Sequence, residues 1–416
     1  MTAETFTWIF AAALAATTVA RLWLNERQIR FVRTHRNHVP ASFEQSISLV
    51  AHQKAADYTI AKAGVQRAAI VTGAVVLAVL TFGGLIGWLY SALAVLATPG
   101  SIAHGVLLIV CVTLFMSVVE LPLDLYRTFS VETRFGFNKM TLRLYLTDLV
   151  KQTLVGALIG LPLLALVLWL MGWIGQAWWL YVWLVWMAFN LTLLLVYPSV
   201  IAPLFNKFAP LENESLRQQI DALMQRCGFR AAGLFVMDGS RRSNHGNAYF
   251  TGFGAGKRIV LFDTLLARLE PNEILAVLAH ELGHFRRRHV WKRVVLLAGI
   301  SLGLLWVLGQ LIDQPWFYAG LDVDAQGDAL ALLLLFLVAP VFMFPLGPLA
   351  SLYSRRHEYE ADAYASEHAS PESLAQALVK LYKDNAATLT PDPVHSAFYD
   401  SHPPAAMRIA RLGLRA

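Results

Sequence analysis

Two histidines four residues apart, His280 and His284, stand out in the segment AVLAHELGHFRRRH. On an α-helix they lie one turn apart on the same face, so both imidazoles can bind one metal ion. Glu281 is rotated by about 100° from His280, close enough to hold an attacking water and accept its proton. Two imidazoles plus a carboxylate favour one zinc ion per chain, with a fourth position open to water. The spacing therefore predicts a zinc-dependent hydrolytic centre.

A third ligand is expected from the acidic segment SRRHEYEADAYASEHA. It offers several candidates: His357, Glu358, Glu360, Glu367 and His368. Glu358 and Asp362 are four residues apart and share a helix face. Ala361 and Ala365 are small enough to let this helix pack closely against the helix of His280. We therefore favour Glu358 as the ligand, with Asp362 accepting a hydrogen bond from a ligand imidazole; a solvated acidic helix face is the alternative.

The segments that lead to the histidines predict a folded unit. PNEILAVLAHELGHF is predicted to be a helix that starts at Pro271, a favoured first-turn residue. NAYFTGFGAGKRIVLFDTLL is typical of two strands joined by the glycine-rich turn GFGAGK. LENESLRQQIDALMQRCGF, which comes earlier, has the pattern of an amphipathic helix. A small β-sheet packed with helices is the expected support for the metal site.

The composition indicates a membrane protein. Of the 416 residues, 56% are hydrophobic and only 15% are charged, whereas a soluble chain carries about 25% charged residues. The net charge of +6 is typical of lysines and arginines that contact anionic membrane lipid, so no nucleic-acid partner is expected. Cys111 and Cys227 form no C-x-x-C pair, which argues against a disulfide framework or a cysteine zinc site.

Seven apolar runs are long enough to cross a membrane as helices. They cover approximately residues 6–24, 68–96, 103–121, 154–174, 177–196, 294–312 and 329–349. The second run is long enough to tilt or protrude. The seventh contains Pro340, Pro345 and Pro348, so we expect it to kink or end early. The N-terminus lacks a basic region, and the first run is interpreted as an uncleaved span.

The charges of the loops predict the orientation of these spans. TPGSIAH, GWIGQAW and DQPWFYAGLDVDAQGD contain no lysine or arginine, whereas the alternate loops are rich in both. The positive-inside rule then places the N-terminus outside and the metal motif on the cytoplasmic side. The chain divides into a membrane region (1–197), a cytoplasmic metallopeptidase part (198–293), two further spans (294–349) and a cytoplasmic C-terminal part (350–416). His289 is expected at the membrane surface, facing away from His284 and not binding the metal.

HELGH followed by SRRHEYEADAYA resembles the integral-membrane zinc metallopeptidases of the type I CAAX prenyl endopeptidase family. Residues 121–151 and 197–216 and the segments NHGNAYFTGFG and YDSHPPAAMRIARL are similar to that family's in the same order. The resemblance covers nearly the whole chain. It implies a mainly α-helical, multi-pass fold whose seven transmembrane helices enclose a chamber, with a cytoplasmic zincin-like metallopeptidase domain that contains a small β-sheet. Glu358 matches the third ligand and Asp362 the aspartate of the family's E-x-x-x-D.

The resemblance also implies roles for three other residues. Asn247 begins the strand that lies along the family's active-site cleft, where an edge strand can pair with an extended substrate. His402 and Arg408, in SHPPAAMR, correspond to groups aimed at the oxyanion of the reacting peptide. The alternatives are an ordinary turn asparagine, a histidine at a helix start and a surface arginine.

The expected function is that of a zinc metalloendopeptidase of a multi-pass membrane protein, in the bacterial inner membrane or the endoplasmic reticulum. The resemblance implies removal of the last three residues of prenylated Cys-a-a-X proteins. A quality-control protease that cuts misfolded or unprenylated membrane proteins is the alternative, and a transporter or scaffold whose metal site is structural is a third. The expected partners are a peptide or protein substrate, with or without a lipid group, and membrane lipid; the sequence does not indicate an oligomeric state.

Overall fold

The computed structural model describes residues 1–229, 233–251 and 258–413, and it is mainly α-helical. The first half forms a helical bundle. Its helices are α1 (Ala3–His35), α2 (Leu49–Thr81), α3 (Leu85–Leu93), α4 (Ile102–Tyr126), α5 (Leu142–Trp173) and α6 (Trp178–Val196). Single π-helical segments continue α4 through Arg127–Glu132 and α6 through Tyr197–Ile201.

A smaller unit with a β-sheet follows the first half. Its elements are α7 (Ala202–Phe205), β1 (Phe208–Pro210), α8 (Glu214–Arg226), β2 (Gly233–Met237), β3 (Ala248–Thr251), β4 (Arg258–Phe262), α9 (Asp263–Leu266) and α10 (Pro271–Arg286). The strand order is β1-β2-β4-β3. β2 and β4 are parallel and the outer pairs are antiparallel, so β3 is an edge strand. The predicted strands are confirmed; the glycine-rich turn between them, 252–257, lies outside the described residues.

The last part returns to the bundle and then to the smaller unit. It consists of α11 (His289–Leu311), α12 (Pro315–Ala319), α13 (Asp328–Met343), α14 (Gly347–His368), α15 (Pro371–Asp384), α16 (Pro393–Tyr399) and α17 (Ala405–Arg411). Within the described ranges, seven helices are long and apolar enough to cross a membrane: α1, α2, α4, α5, α6, α11 and α13. All seven predicted spans are therefore confirmed in number and order.

The limits of the second span differ from the prediction. The helix runs from Leu49 to Thr81 and does not extend over 68–96. Gly84 then adopts a left-handed conformation with φ 65°. A residue in this conformation ends a helix, and glycine adopts it readily because it lacks a Cβ. The first half of α2 is polar, so the search for apolar runs did not include it in the span. The residues after the break form a separate short helix, α3. The seventh span, in contrast, ends early as predicted, at Met343, before the 3-10 turn Phe344–Leu346.

The helices of the bundle surround a cavity of about 1030 Å³. α1, α2, α4 and α13 contribute to its wall, as do residues near α15 and α16. Part of the wall is polar and charged, through Gln28, Lys62, Gln66, Glu120, Asp124 and Arg127. The N-terminal end of α1 packs against α12, where Thr7 Oγ1 donates to the carbonyl of Gly320 at 2.8 Å. Its other end approaches the C-terminal part, where Arg27 pairs with Asp392 at 2.9 Å.

Candidate metal centre

The helix that carries the motif, α10, begins where the sequence predicted, at Pro271. Glu270 and Glu273 form a capping box, in which the Glu273 carboxylate accepts from Glu270 N at 2.8 Å. Glu273 is itself buried and pairs with Lys380 of α15 at 2.8 Å. Because the first turn is fixed both by its cap and by this ion pair, the histidines three turns later have a rigid support.

The backbones of α10 and α14 lie very close together where the two helices cross. A Cβ placed on Gly283 would lie 2.9 Å from Ala361 Cα and 3.0 Å from its carbonyl oxygen. Ala361 and Ala365 are fully buried at this crossing, 0% and 1% exposed, as their small size predicted. Gly283, the residue directly before His284, thus lets the helix that carries Glu358 approach the two histidines.

Three side chains converge from these two helices. His280 Nε2 lies 3.2 Å from His284 Nε2. Glu358 reaches both rings, with Oε2 at 3.5 Å from His280 Nε2 and Oε1 at 3.5 Å from His284 Nε2. One ligand atom from each residue falls within 4.8 Å of the others, the arrangement that binding of one ion requires.

The donor set fits a cation. Glu358 is 5% exposed, and its Oε2 has no hydrogen-bond partner among the described residues. A buried carboxylate oxygen left without a partner is costly unless something else satisfies it. Two imidazole nitrogens and one carboxylate are the ligands that zinc prefers at a hydrolytic site. His280, His284 and Glu358 are therefore the residues that would hold the ion.

Asp362 lies behind the first histidine. Its Oδ1 is 2.8 Å from His280 Nδ1, so the carboxylate accepts the proton on that nitrogen and leaves Nε2 free to bind a metal. Arg408 of α17 grips the same carboxylate, with Nη2 at 2.6 Å from Oδ1 and Nε at 2.8 Å from Oδ2. Its Nη1 is 3.8 Å from Glu358 Oε2. Arg408 was expected to contact the substrate, but it is 6% exposed and holds two carboxylates from behind.

The electrostatics of the site follow from its burial and its carboxylates. Burial lowers the pKa of His280, but the nearby carboxylates of Asp362 and Glu358 outweigh it and raise that pKa to about 9. Burial, together with the neighbouring His280, lowers the pKa of His284 to about 3. Burial raises the pKa of Glu281. The pKa values of the two facing rings thus shift in opposite directions, as expected where two imidazolium ions this close would repel each other.

Two other predicted residues, His402 and Asn247, lie in the segments that precede α17 and β3. His402, in the loop before α17, has its Nε2 3.4 Å from Glu358 Oε1, and 62% of its side chain is exposed. It also lines the cavity, so its exposed surface faces the space between the helices. Asn247 directly precedes the edge strand β3, and its side-chain oxygen accepts from Ala248 N at 2.8 Å.

Two residues near the site were not assigned a role by the sequence. His289 was expected to face away from His284, yet its Nδ1 lies 2.9 Å from His284 Nδ1. Glu360, considered only as a ligand, is 3.0 Å from His289 Nε2. On a continuous helix, residues five apart point about 140° away from each other. Here α10 ends at Arg286, and Arg288 takes a left-handed conformation with φ 57°. The next helix, α11, starts at His289, and this break turns the ring of His289 towards His284.

A metal-binding H-E-x-x-H helix, a carboxylate from a second helix and a bundle of membrane-spanning helices with an internal cavity together define an integral-membrane metallopeptidase. Residues 28–207 match the family model for the N-terminal part of CAAX prenyl protease, with five membrane helices, and residues 210–416 match Peptidase family M48. The chain belongs to Peptidase family M48, and the resemblance found in its sequence is confirmed. The chain is a membrane metalloendopeptidase.

Individual relatives and one solved structure support this assignment along the chain. The probable CAAX prenyl protease 1 of Schizosaccharomyces pombe is 36% identical over 73% of this chain, and the match spans 64% of that protein. The CAAX prenyl protease 1 homolog of Mus musculus is 31% identical, with 97% of this chain and 95% of its own length covered. The crystal structure of S. mikatae Ste24p has a TM-score of 0.90 at 29% identity and 98% coverage of both chains. The expected fold is thus confirmed over nearly the full length.

Proposed function

We propose that this protein is a zinc endopeptidase that removes the C-terminal tripeptide of prenylated Cys-a-a-X proteins. The observation that carries the proposal is the convergence of His280, His284 and Glu358 beside a cavity walled by candidate membrane spans. A site at the end of such a cavity can receive a peptide whose lipid group stays among apolar helices. The relatives named CAAX prenyl protease support the substrate class.

Each side chain has a part in this reaction. A zinc ion held by His280, His284 and Glu358 would supply a Lewis acid that polarises the peptide carbonyl and acidifies water. Glu281, one residue after His280, accepts the proton of the attacking water and passes it to the leaving amine. Asp362 fixes the ring of His280, and Arg408 holds Asp362 in place.

Substrate contacts come from two further residues. His402 borders the cavity and lies 3.4 Å from Glu358, so it can donate a hydrogen bond to the oxyanion that forms on the carbonyl. Asn247 directly precedes β3, which is an edge strand in the described part of the sheet and so can pair with an extended peptide. The role of Arg408 is one of positioning, since its guanidinium is already engaged by Asp362.

The membrane orientation is part of the proposal. Loops rich in lysine and arginine alternate with loops that have none, which supports an N-terminus outside and an active site on the cytoplasmic side. Either the bacterial inner membrane or the endoplasmic reticulum satisfies this arrangement. Lipid contacts follow from the exposed apolar faces of α5 and α6.

A second candidate is a quality-control protease that cuts unprenylated membrane proteins. The polar and charged part of the cavity wall favours it, because Gln28, Lys62 and Glu120 suit a hydrated polypeptide better than a lipid chain.

One experiment distinguishes the two functions. The purified protein is incubated separately with a farnesylated Cys-a-a-X peptide and with the same peptide lacking the prenyl group. Cleavage of the farnesylated peptide with at least a tenfold higher kcat/KM supports the first function, and equal cleavage supports the second.

A further inference from the structure

The side of the His284 ring that faces away from His280 contacts a short series of hydrogen-bonding groups, His289 and then Glu360. His284 Nδ1 is 2.9 Å from His289 Nδ1, and His289 Nε2 is 3.0 Å from Glu360 Oε2. His289 is only 4% exposed. We propose that His289 and Glu360 are positioning residues that fix the tautomer and the orientation of His284 as a metal ligand. The inference rests on the proposed ligand set.

The proton positions along this chain follow from the carboxylate at its end. The Glu360 carboxylate only accepts, so His289 Nε2 carries the proton that is donated to it. The neutral ring of His289 then has a lone pair on Nδ1, which accepts the proton on His284 Nδ1. This leaves the Nε2 lone pair of His284 directed at His280 and Glu358, where a metal would bind. If His289 instead donated from Nδ1 to His284, its unprotonated Nε2 would face the acceptor oxygen Oε2 of Glu360 at 3.0 Å.

His284, His289 and Glu360 form a hydrogen-bond relay, and the last two of these side chains are themselves held in place by neighbours. The ring of His357 stacks on His289 with centroids 4.0 Å apart and an interplanar angle of 13°. Glu360 Oε1 accepts from Arg356 at 3.1 Å, and Lys292 Nζ lies 3.5 Å from Oε2. Ordered partners of this kind reduce the freedom of a metal ligand and raise its affinity.

The two ligand histidines are supported in different ways. His280 faces its carboxylate directly, through Asp362 at 2.8 Å. His284 reaches Glu360 only through the imidazole of His289. Because His289 is also the first residue of α11, the relay connects the metal site to a candidate membrane span. Substitution of His289 should therefore weaken metal binding although this residue binds no metal.

The test measures zinc affinity of the full-length protein in detergent, by competition with a chromophoric chelator, together with the visible spectrum of the cobalt-substituted protein. His289→Ala should weaken zinc binding about 10- to 100-fold and change the cobalt spectrum. His289→Gln should recover much of the affinity, because its amide offers one acceptor and one donor. His368→Ala is the matched control, since it removes another imidazole of α14, one whose Nδ1 lies 3.0 Å from the carbonyl oxygen of Tyr364 in its own helix; its affinity should equal the wild-type value.

The outcomes separate the relay from the ligand set. An unchanged zinc affinity and cobalt spectrum in His289→Ala would overturn the relay. Equal losses in His289→Ala and His289→Gln, with lowered thermal stability in both, would also overturn it, because a merely structural role predicts no rescue. His284→Ala is measured in parallel. If that variant kept full zinc affinity, the ligand set itself would fail, whereas loss there with an unaffected His289→Ala would refute the relay alone.

Discussion

At the scale of single residues, the site is a cluster of buried charges that stabilise one another. Asp362 is sandwiched between His280 and Arg408, and both charged partners in the Arg408–Asp362 pair are at most 7% exposed. Desolvation of such a pair is expensive, so its net contribution is small while both members are present. Removing one member leaves an uncompensated charge in the interior, and this asymmetry makes the pair testable.

Arg408→Ala should lower the free energy of unfolding by about 3–5 kcal/mol, because the buried Asp362 loses its partner. The matched control is Arg36→Ala, which breaks the ion pair with Asp57 at 2.7 Å, whose side chains are 34% and 40% exposed. It should cost only about 0–1 kcal/mol. Chemical denaturation in detergent measures both. Equal losses in the two variants would contradict the buried-pair argument.

Glu281→Gln should keep its zinc and lose proteolysis. The amide has nearly the shape of the carboxylate but cannot accept the proton of the attacking water, so kcat should fall about 10²- to 10⁴-fold. Metal analysis of the purified variant and peptide hydrolysis check the two halves separately. Glu358→Ala is the counterpart, in which bound zinc itself should fall. Wild-type turnover in Glu281→Gln would refute the role of the base.

At the scale of elements, the distance between α10 and α14 sets the geometry of the metal site. Gly283→Ala would push a methyl group against the backbone of Ala361, 2.9 Å from its Cα. The helices would separate, Glu358 would move away from the histidines, and stability should fall by about 1–3 kcal/mol together with zinc affinity. Gly299→Ala in α11, where a Cβ meets nothing within 4 Å, is the control. It should leave zinc affinity unchanged, and an identical effect of both variants would show that the crossing is unimportant.

Local patterns in the sequence were sufficient to predict the helices and strands. They did not predict contacts between residues of different helices. Apolar length identified all seven spans, and Pro271 marked the start of α10, because both are properties of a single segment. The limits of α2 were missed since its polar half is helical without being apolar. The partnership of His284 and His289 depends on the left-handed Arg288, whose conformation is not a sequence preference of arginine. The pairing of Arg408 with Asp362 requires two helices that are distant in sequence.

At the scale of the whole molecule, one residue, His402, links the cavity to the metal site. His402 borders the cavity and lies 3.4 Å from Glu358, so a peptide in the cavity can reach the catalytic groups. The wall combines apolar positions, such as Leu77 and Leu80, with charged ones, such as Lys62 and Glu120. A lipidated peptide has the same division, with one apolar end and one hydrated end. The size and polarity of this space, more than the metal site, should therefore determine which substrates are accepted.

Narrowing the cavity tests this assignment of specificity. Gly73 lies in its wall, and a Cβ there would meet nothing within 4 Å, so we expect Gly73→Trp to fold and to occupy part of the space. We expect kcat/KM for a farnesylated Cys-a-a-X peptide to fall at least tenfold more than for a short unprenylated peptide, with unchanged zinc affinity. Gly64→Trp is the matched control, on the same helix α2, with equally open space but outside the wall. It should cleave both peptides like the wild type; an equal fall for both substrates in Gly73→Trp would mean that the cavity does not select the lipid group.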